Sequence, residues 1–157
     1  HDALPIYVKP GPDGAPLYAL PGKVGQPLPY LAYAPGAYLG QMVDLILKQS
    51  AMPIHFDRVY ETDMAEGLKA MALEGHGVAF LPHSAVKKDL RAKKLVSAMP
   101  AGTQDLQITM EVRAYRERLS SREAARGLSA AQRAQTRAPK GSAQALWDYL
   151  LTQGIAA

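Results

Sequence analysis

Cysteine is absent from this chain of 157 residues, which excludes disulfides, thiolate metal sites and thiol redox switches. Redox chemistry as such stays open, because six methionines are present and a thioether oxidises reversibly. No apolar run approaches the ~20 residues needed to span a bilayer. The opening residues, His-Asp-Ala-Leu-Pro, lack a basic stretch followed by an apolar block, so no signal peptide is visible. There is no nucleophile elbow, glycine-rich phosphate loop or metal-binding helix. The four histidines, His1, His55, His76 and His83, lack ligand spacing. These absences argue against an enzyme and predict no catalytic residue, no metal and no cofactor.

What is present describes one globular domain with enough apolar material, 48%, for a real core. The net charge of +4 is unevenly spread. Residues 113–140 hold eight Lys and Arg against Glu117 and Glu123, or +6, which leaves −2 elsewhere. A basic segment can meet nucleic acid. No base-reading motif or aromatic stacking pattern accompanies this one, so a solvated, mobile surface is the better expectation.

The chain is organised around residues 60–82, YETDMAEGLKAMALEGHGVAFLP. Asp63 with Glu66 fits a capping box, and Thr62 is a competing cap. Met64, Leu68 and Met71 recur as the core stripe of a helix, with Glu66 and Lys69 able to pair on the other face. Gly75 is a left-handed stop, and Gly77 leaves room for a close backbone approach. Residues 78–81 are continuously apolar, as in a strand buried on both faces, and Pro82 ends it. His76 is explained by turn chemistry.

The flanking elements fit the same α/β logic. Residues 4–8 form a short strand, and 9–29 are a Gly/Pro-rich loop. A strand over 28–33 leads through Ala34-Pro35-Gly36 into a helix over 37–49, with Leu39, Met42, Val43, Ile46 and Leu47 inward. The next strand spans 54–61, where Asp57 and Arg58 mark a charged sheet edge and leave His55 without a special role. Two strand–helix–strand passages imply right-handed parallel crossovers and a ligand crevice at the strand C-termini. After Pro82, Ser84 caps a short helix over 85–90, followed by a basic stretch ending near Lys94. A brief strand covers 95–98. Residues 106–115 alternate cleanly, as one longer strand. A capping box at Ser120 and Glu123 is weakly anchored, and Ser142 caps a last helix in which Leu146, Tyr149 and Leu150 share a face and Gly154 is the stop.

The wording Met-Ala-x-Glu-Gly-x-Gly-Val-Ala-Phe-Leu-Pro, in order with these elements, resembles the effector-binding domain of LysR-type transcriptional regulators along nearly the whole chain. The resemblance implies an α/β fold of the type 2 periplasmic-binding-protein kind. Residues 5–110 correspond to regulatory subdomain two, and 111–157 to the C-terminal part of subdomain one, with 1–4 as a hinge strand. It implies that the chain starts midway, without the helix-turn-helix that binds DNA or the first part of subdomain one. It further implies a cytoplasmic homo-oligomer, dimer or tetramer, with the helix over 37–49 a contributor. DNA is then met only through the absent domain, and no membrane is involved.

Two helix starts, at 35–38 and 62–64, follow strand C-termini, and their free N–H groups attract anions. In the family such corners line the effector cleft, which here comprises Tyr33, Pro35, Gly36, Tyr38, Thr62, Asp63 and Met64. The effector is a small molecule or an oxidant. Residues 28–39, with Met64 and no cysteine, also resemble the hypochlorite-responsive subgroup, which makes Met64 the candidate redox sensor against a plain role as core filler. The alternative is a binding protein of the same fold that carries a small organic anion.

Overall fold

A computed structural model of the chain describes residues 1–103, 106–115 and 141–152. The backbone divides into two compact units, His1–Arg113 and Ala114–Ala157.

In the first unit, β1 (Asp2–Ala3) and β2 (Ile6–Val8) precede the long loop. Then β3 (Leu28–Tyr33), α1 (Tyr38–Gln49) and β4 (Phe56–Thr62) form one strand–helix–strand passage. The second runs from β4 through α2 (Ala65–Glu74) to β5 (Ala79–Phe80). After α3 (His83–Arg91) come β6 (Val96–Ser97) and β7 (Thr109–Met110). β3 and β4 are parallel, and Val78 bridges Tyr30 in the same sense. Leu31 N donates to Val78 O and Val78 N to Pro29 O, both at 2.9 Å. β5 and β6 flank β2, each antiparallel to it. The spatial order is therefore β4, β3, β5, β2, β6.

Apolar spacing explains the layers. α1 buries Val43 and Ile46, and α2 buries Leu68 and Ala72, one turn apart on one helix face. Val78, Ala79, Phe80 and Leu81 are all buried, as their unbroken apolar run predicts. Gly77 is required by sterics: a Cβ there would lie 2.5 Å from Pro29 O. Gly75 closes α2 in the left-handed conformation, at φ 87°.

Several boundaries differ from expectation. The strand over 4–8 is split, because Pro5 has no N–H to donate to a ladder. Leu4 N donates to Ile108 O, whereas Pro5 O accepts from Leu81 N. The chain thus changes neighbours at the proline. The long strand expected over 106–115 shrinks to β7, since its partner β1 offers only two residues. Its alternation survives at Leu106, Ile108 and Met110, which are half-buried, but Val112 is exposed. The strand expected over 54–61 begins at Phe56 and runs on to Thr62. Ser84 does not cap α3, whose cap position is Pro82; Ser84 lies inside the helix.

In the second unit α4 (Gly141–Thr152) begins one residue before Ser142. Leu146 and Tyr149 are exposed, while Trp147 and Leu150 are half-buried. The expectations for 116–140 and for Gly154 lie outside the described residues.

Candidate functional site

The C-terminal ends of β3 and β4 lie side by side, with Tyr33 opposite Thr62. Ala34 N donates to Thr62 O at 2.9 Å, carrying the ladder one residue past the strand. Gly36 then turns the chain at φ +85°, a conformation that disfavours a side chain, and α1 starts at Tyr38. Its cap residue, Ala37, supplies no side-chain acceptor, so the first-turn N–H groups of α1 have no side-chain cap.

The start of α2 is built differently from the expected capping box. Met64 is the cap residue, and Asp63 makes no capping bond. Thr62 Oγ1 accepts from Met64 N at 3.3 Å, so the threonine fixes the turn without capping the helix proper. Glu66 reaches outward to Lys69 at 2.7 Å, the i+3 pair the spacing predicts.

Met64 is the clearest correction. It does not head the core stripe but is 62% exposed. Its backbone is extended, at φ −103° and ψ 121°, so helical periodicity does not apply to it. The stripe begins at Leu68. Met99 is buried and Met42, Met52, Met71 and Met110 are half-buried, so Met64 alone of the six thioethers stands in the open.

Pro35, Gly36, Tyr38 and Asp63 are also exposed, and Thr62 is half-buried. Tyr33 is not available to a ligand: it is buried, and its hydroxyl donates to Phe80 O at 3.0 Å. Burial, with Tyr30 alongside, pushes its phenol above the usual range. Tyr30 is pushed up to about 12, again chiefly by burial, with Arg58 opposing and Asp44 assisting. Tyr33 therefore pins the sheet, and the accessible phenol at this edge belongs to Tyr38.

A third helix start on the same edge has a sequence signal like the other two, a buried strand followed by Pro82-His83-Ser84. The start of α3 is already filled. Ser84 N donates to Asp2 Oδ1 at 3.0 Å and Ser84 Oγ to Asp2 Oδ2 at 2.5 Å. Beside it, Tyr7 Oη and His83 Nδ1 are 2.9 Å apart. His55 holds only backbone bonds among those seen, to Pro21 and Leu28, and His76 is exposed. Two open depressions of about 430 Å³ lie elsewhere, one against Met52 and Phe56, the other among Lys9, Glu74 and Lys93. Among the described residues no group of three His, Asp or Glu could hold a metal ion, and no helix is long and apolar enough to cross a membrane.

This arrangement has close counterparts. Residues 23–153 match the family model described as the LysR substrate binding domain. The HTH-type transcriptional regulator YjiE of Escherichia coli K12 is 32% identical over 88 residues, covering 56% of this chain and 28% of that protein. The regulatory domain of HypT from Salmonella typhimurium, solved as a methionine-to-glutamine variant, superposes with a TM-score of 0.59 at 27% identity, over 68% of this chain and 50% of that one. Full-length HypT, described as a hypochlorite-specific LysR-type transcriptional regulator, gives the same TM-score and identity over 34% of its length. The chain thus spans half or less of each of these relatives, which are regulators rather than enzymes. Matched over most of its length, the chain belongs to the LysR substrate binding domain family, with that family's periplasmic-binding-protein-like α/β fold.

Proposed function

We propose that this chain senses an effector on behalf of a LysR-type transcriptional regulator, and that the signal is hypochlorite, read through oxidation of Met64. The observation that carries it is the placement of Met64: an exposed thioether at the cap of α2, on the edge where β3 and β4 end. The resemblance to HypT supports the choice of oxidant. Oxidation adds one oxygen from hypochlorous acid to the sulfur, which loses two electrons, and releases chloride and a proton. The product is a sulfoxide that reductases restore.

Exposure also sets the direction of the switch. In the arrangement seen here a sulfoxide at Met64 is solvated and costs almost nothing. Oxidation therefore acts by disfavouring a second arrangement in which Met64 is covered. Burying a poorly satisfied polar group costs on the order of 1–3 kcal/mol, enough to bias a two-state balance. Tyr38, Pro35, Gly36, Thr62 and Asp63 complete the edge that this second arrangement covers. Residues 5–110 act as regulatory subdomain two and 111–157 as part of subdomain one, with 1–4 between them. The complete protein is a cytoplasmic homo-oligomer that reaches DNA through a helix-turn-helix domain.

The test is to treat the complete regulator with hypochlorous acid, map sulfoxides by mass spectrometry and follow promoter activation. Met64 is modified first, and Met64→Ile abolishes the response while changing stability by less than about 0.5 kcal/mol, as for other exposed positions. Activation with Met64 unmodified, or a normal response from Met64→Ile, removes this residue as the sensor.

A further inference from the structure

Five of the eleven cations of the first unit are gathered in one place. Residues 87–94 hold Lys87, Lys88, Arg91, Lys93 and Lys94 against one carboxylate, Asp89, for a net +4. Apart from this stretch and 113–140, the chain carries five basic and eleven acidic residues, a net −6. Within the first unit alone, the sequence outside 87–94 holds six basic and ten acidic residues, a net −4, so the positive stretch is set in an acidic surrounding sequence.

The fold turns these side chains outward together. α3 anchors itself through buried Val86 and half-buried Leu90. With 3.6 residues per turn, Lys87, Lys88 and Arg91 then share a single solvent-facing arc. Past the cap, Lys93 takes a left-handed turn at φ 54°, and Lys94 N returns to Asp89 O at 2.8 Å. The last two lysines are thereby held beside the helix end. All five cations are exposed. None enters an ion pair among the described residues, where the pairs are Arg58–Glu61, Lys69–Glu66 and Arg113–Glu111. The negative end of the α3 dipole welcomes cations in its last turn, but that effect is small, falls off within the turn and does not call for five.

The chemistry of the patch selects its partner. Protein interfaces are anchored by large apolar or aromatic side chains, and none of the exposed ones falls within 83–94. Single-stranded nucleic acid needs aromatic faces on which bases stack, and this stretch has no Phe, Tyr or Trp. What five clustered cations on a short rigid element do suit is a regular row of phosphates, bound through release of condensed counterions. We propose that the solvent face of α3 and the turn after it bind the phosphodiester backbone of duplex DNA, without sequence preference. The inference takes from the regulator reading only that DNA lies within reach, and it is independent of any effector.

The experiment measures binding of the 157-residue chain to a labelled 30-base-pair duplex of arbitrary sequence by fluorescence anisotropy, between 50 and 200 mM salt. Each neutralised phosphate contributes about 0.9 to the slope of log affinity against log salt. The triple variant Lys87→Gln, Lys88→Gln, Arg91→Gln is expected to lower that slope by about 2 to 3 and to weaken binding at least about tenfold at low salt. Lys87→Arg with Lys88→Arg retains both affinity and slope. A second triple variant, Arg122→Gln, Arg126→Gln, Arg133→Gln, separates the contribution of the other basic segment and keeps the α3-dependent loss intact. Circular dichroism confirms that each variant is folded. An unchanged slope in the α3 variant overturns the proposal, whatever the second variant does. Binding to poly-glutamate as tight as to the duplex, and equally dependent on α3, overturns the assignment to DNA in favour of an acidic protein partner. These outcomes leave the Met64 proposal untouched, since Lys87, Lys88 and Arg91 are not among the residues of the strand-end edge.

Discussion

α2 and α3 leave the same edge of one sheet, yet they are finished in opposite ways. The start of α2 has a threonine hydroxyl beneath it, no side-chain cap and an exposed methionine above it. The start of α3 is closed by the Asp2 carboxylate, supplied from another strand. Beyond their starts the contrast reverses: Glu66 and Lys69 neutralise each other on α2, whereas the cations at the end of α3 enter no ion pair among the described residues. A helix start at a strand end is therefore not in itself a ligand site. What matters is whether the protein has already filled it. On this edge the open starts belong to α1 and α2.

The largest effect on this contrast is expected from Gly77→Ala. A Cβ at 2.5 Å from Pro29 O must separate β3 from Val78, uncoupling the strands that feed α1 and α2 from the strand that feeds α3. Backbone leaves no flexible atom to give way, so a loss of about 3 kcal/mol or more is expected in urea denaturation. A loss below about 1 kcal/mol shows that the two halves of the sheet move independently.

Alkaline pH tests the same junction more gently. Tyr30 and Tyr33 hold their protons in the fold beyond the ordinary value near 10, Tyr30 to about 12. Above pH 10 the unfolded chain releases these protons while the fold keeps them, so the unfolded state binds fewer protons and stability falls as pH rises. The loss is absent below about pH 10 and grows by about 1.4 kcal/mol per unit for each tyrosine up to its folded value. Melting temperatures between pH 9 and 12 measure it. A flat profile contradicts the burial of both phenols.

The smallest effect is expected from Asp2→Asn. Removing the charge from the start of α3 costs about 0.3–1 kcal/mol. Hydrogen exchange should quicken at the Ser84 amide and stay unchanged in the first turn of α2. Equal quickening in both helices means that Asp2 braces the whole edge rather than one helix.

The sequence was most legible where local and tertiary signals agree. The strand over 28–33 is found over those residues, and α1 and α2 fall close to their expected bounds because apolar spacing, a glycine stop and a buried run coincide. It was least legible where a neighbour decides the outcome. Nothing local to residues 106–115 reveals that their partner strand is cut short at Pro5. Nothing local to Ser84 reveals that Asp2 will take its N–H. Met64 fits the helical period in sequence while lying just outside the helix in space. Tyr33 reads equally well as a ligand phenol or a sheet pin until Phe80 is brought next to it.

The split at Pro5 has a consequence for how the chain assembles. Residues 4–8 find all their partners far downstream: Leu4 with Ile108, Ile6 with Phe80, and Tyr7 with both Ala79 and Ser97. β3, α1 and β4 close over much shorter loops, which cost less entropy and form sooner. β2 precedes all its partners in the chain and is thus among the last strands of the first unit to be satisfied. While it waits, Leu4, Ile6, Tyr7 and Val8, all buried in the finished fold, stand uncovered. That interval is when this stretch is most open to pairing with the wrong edge.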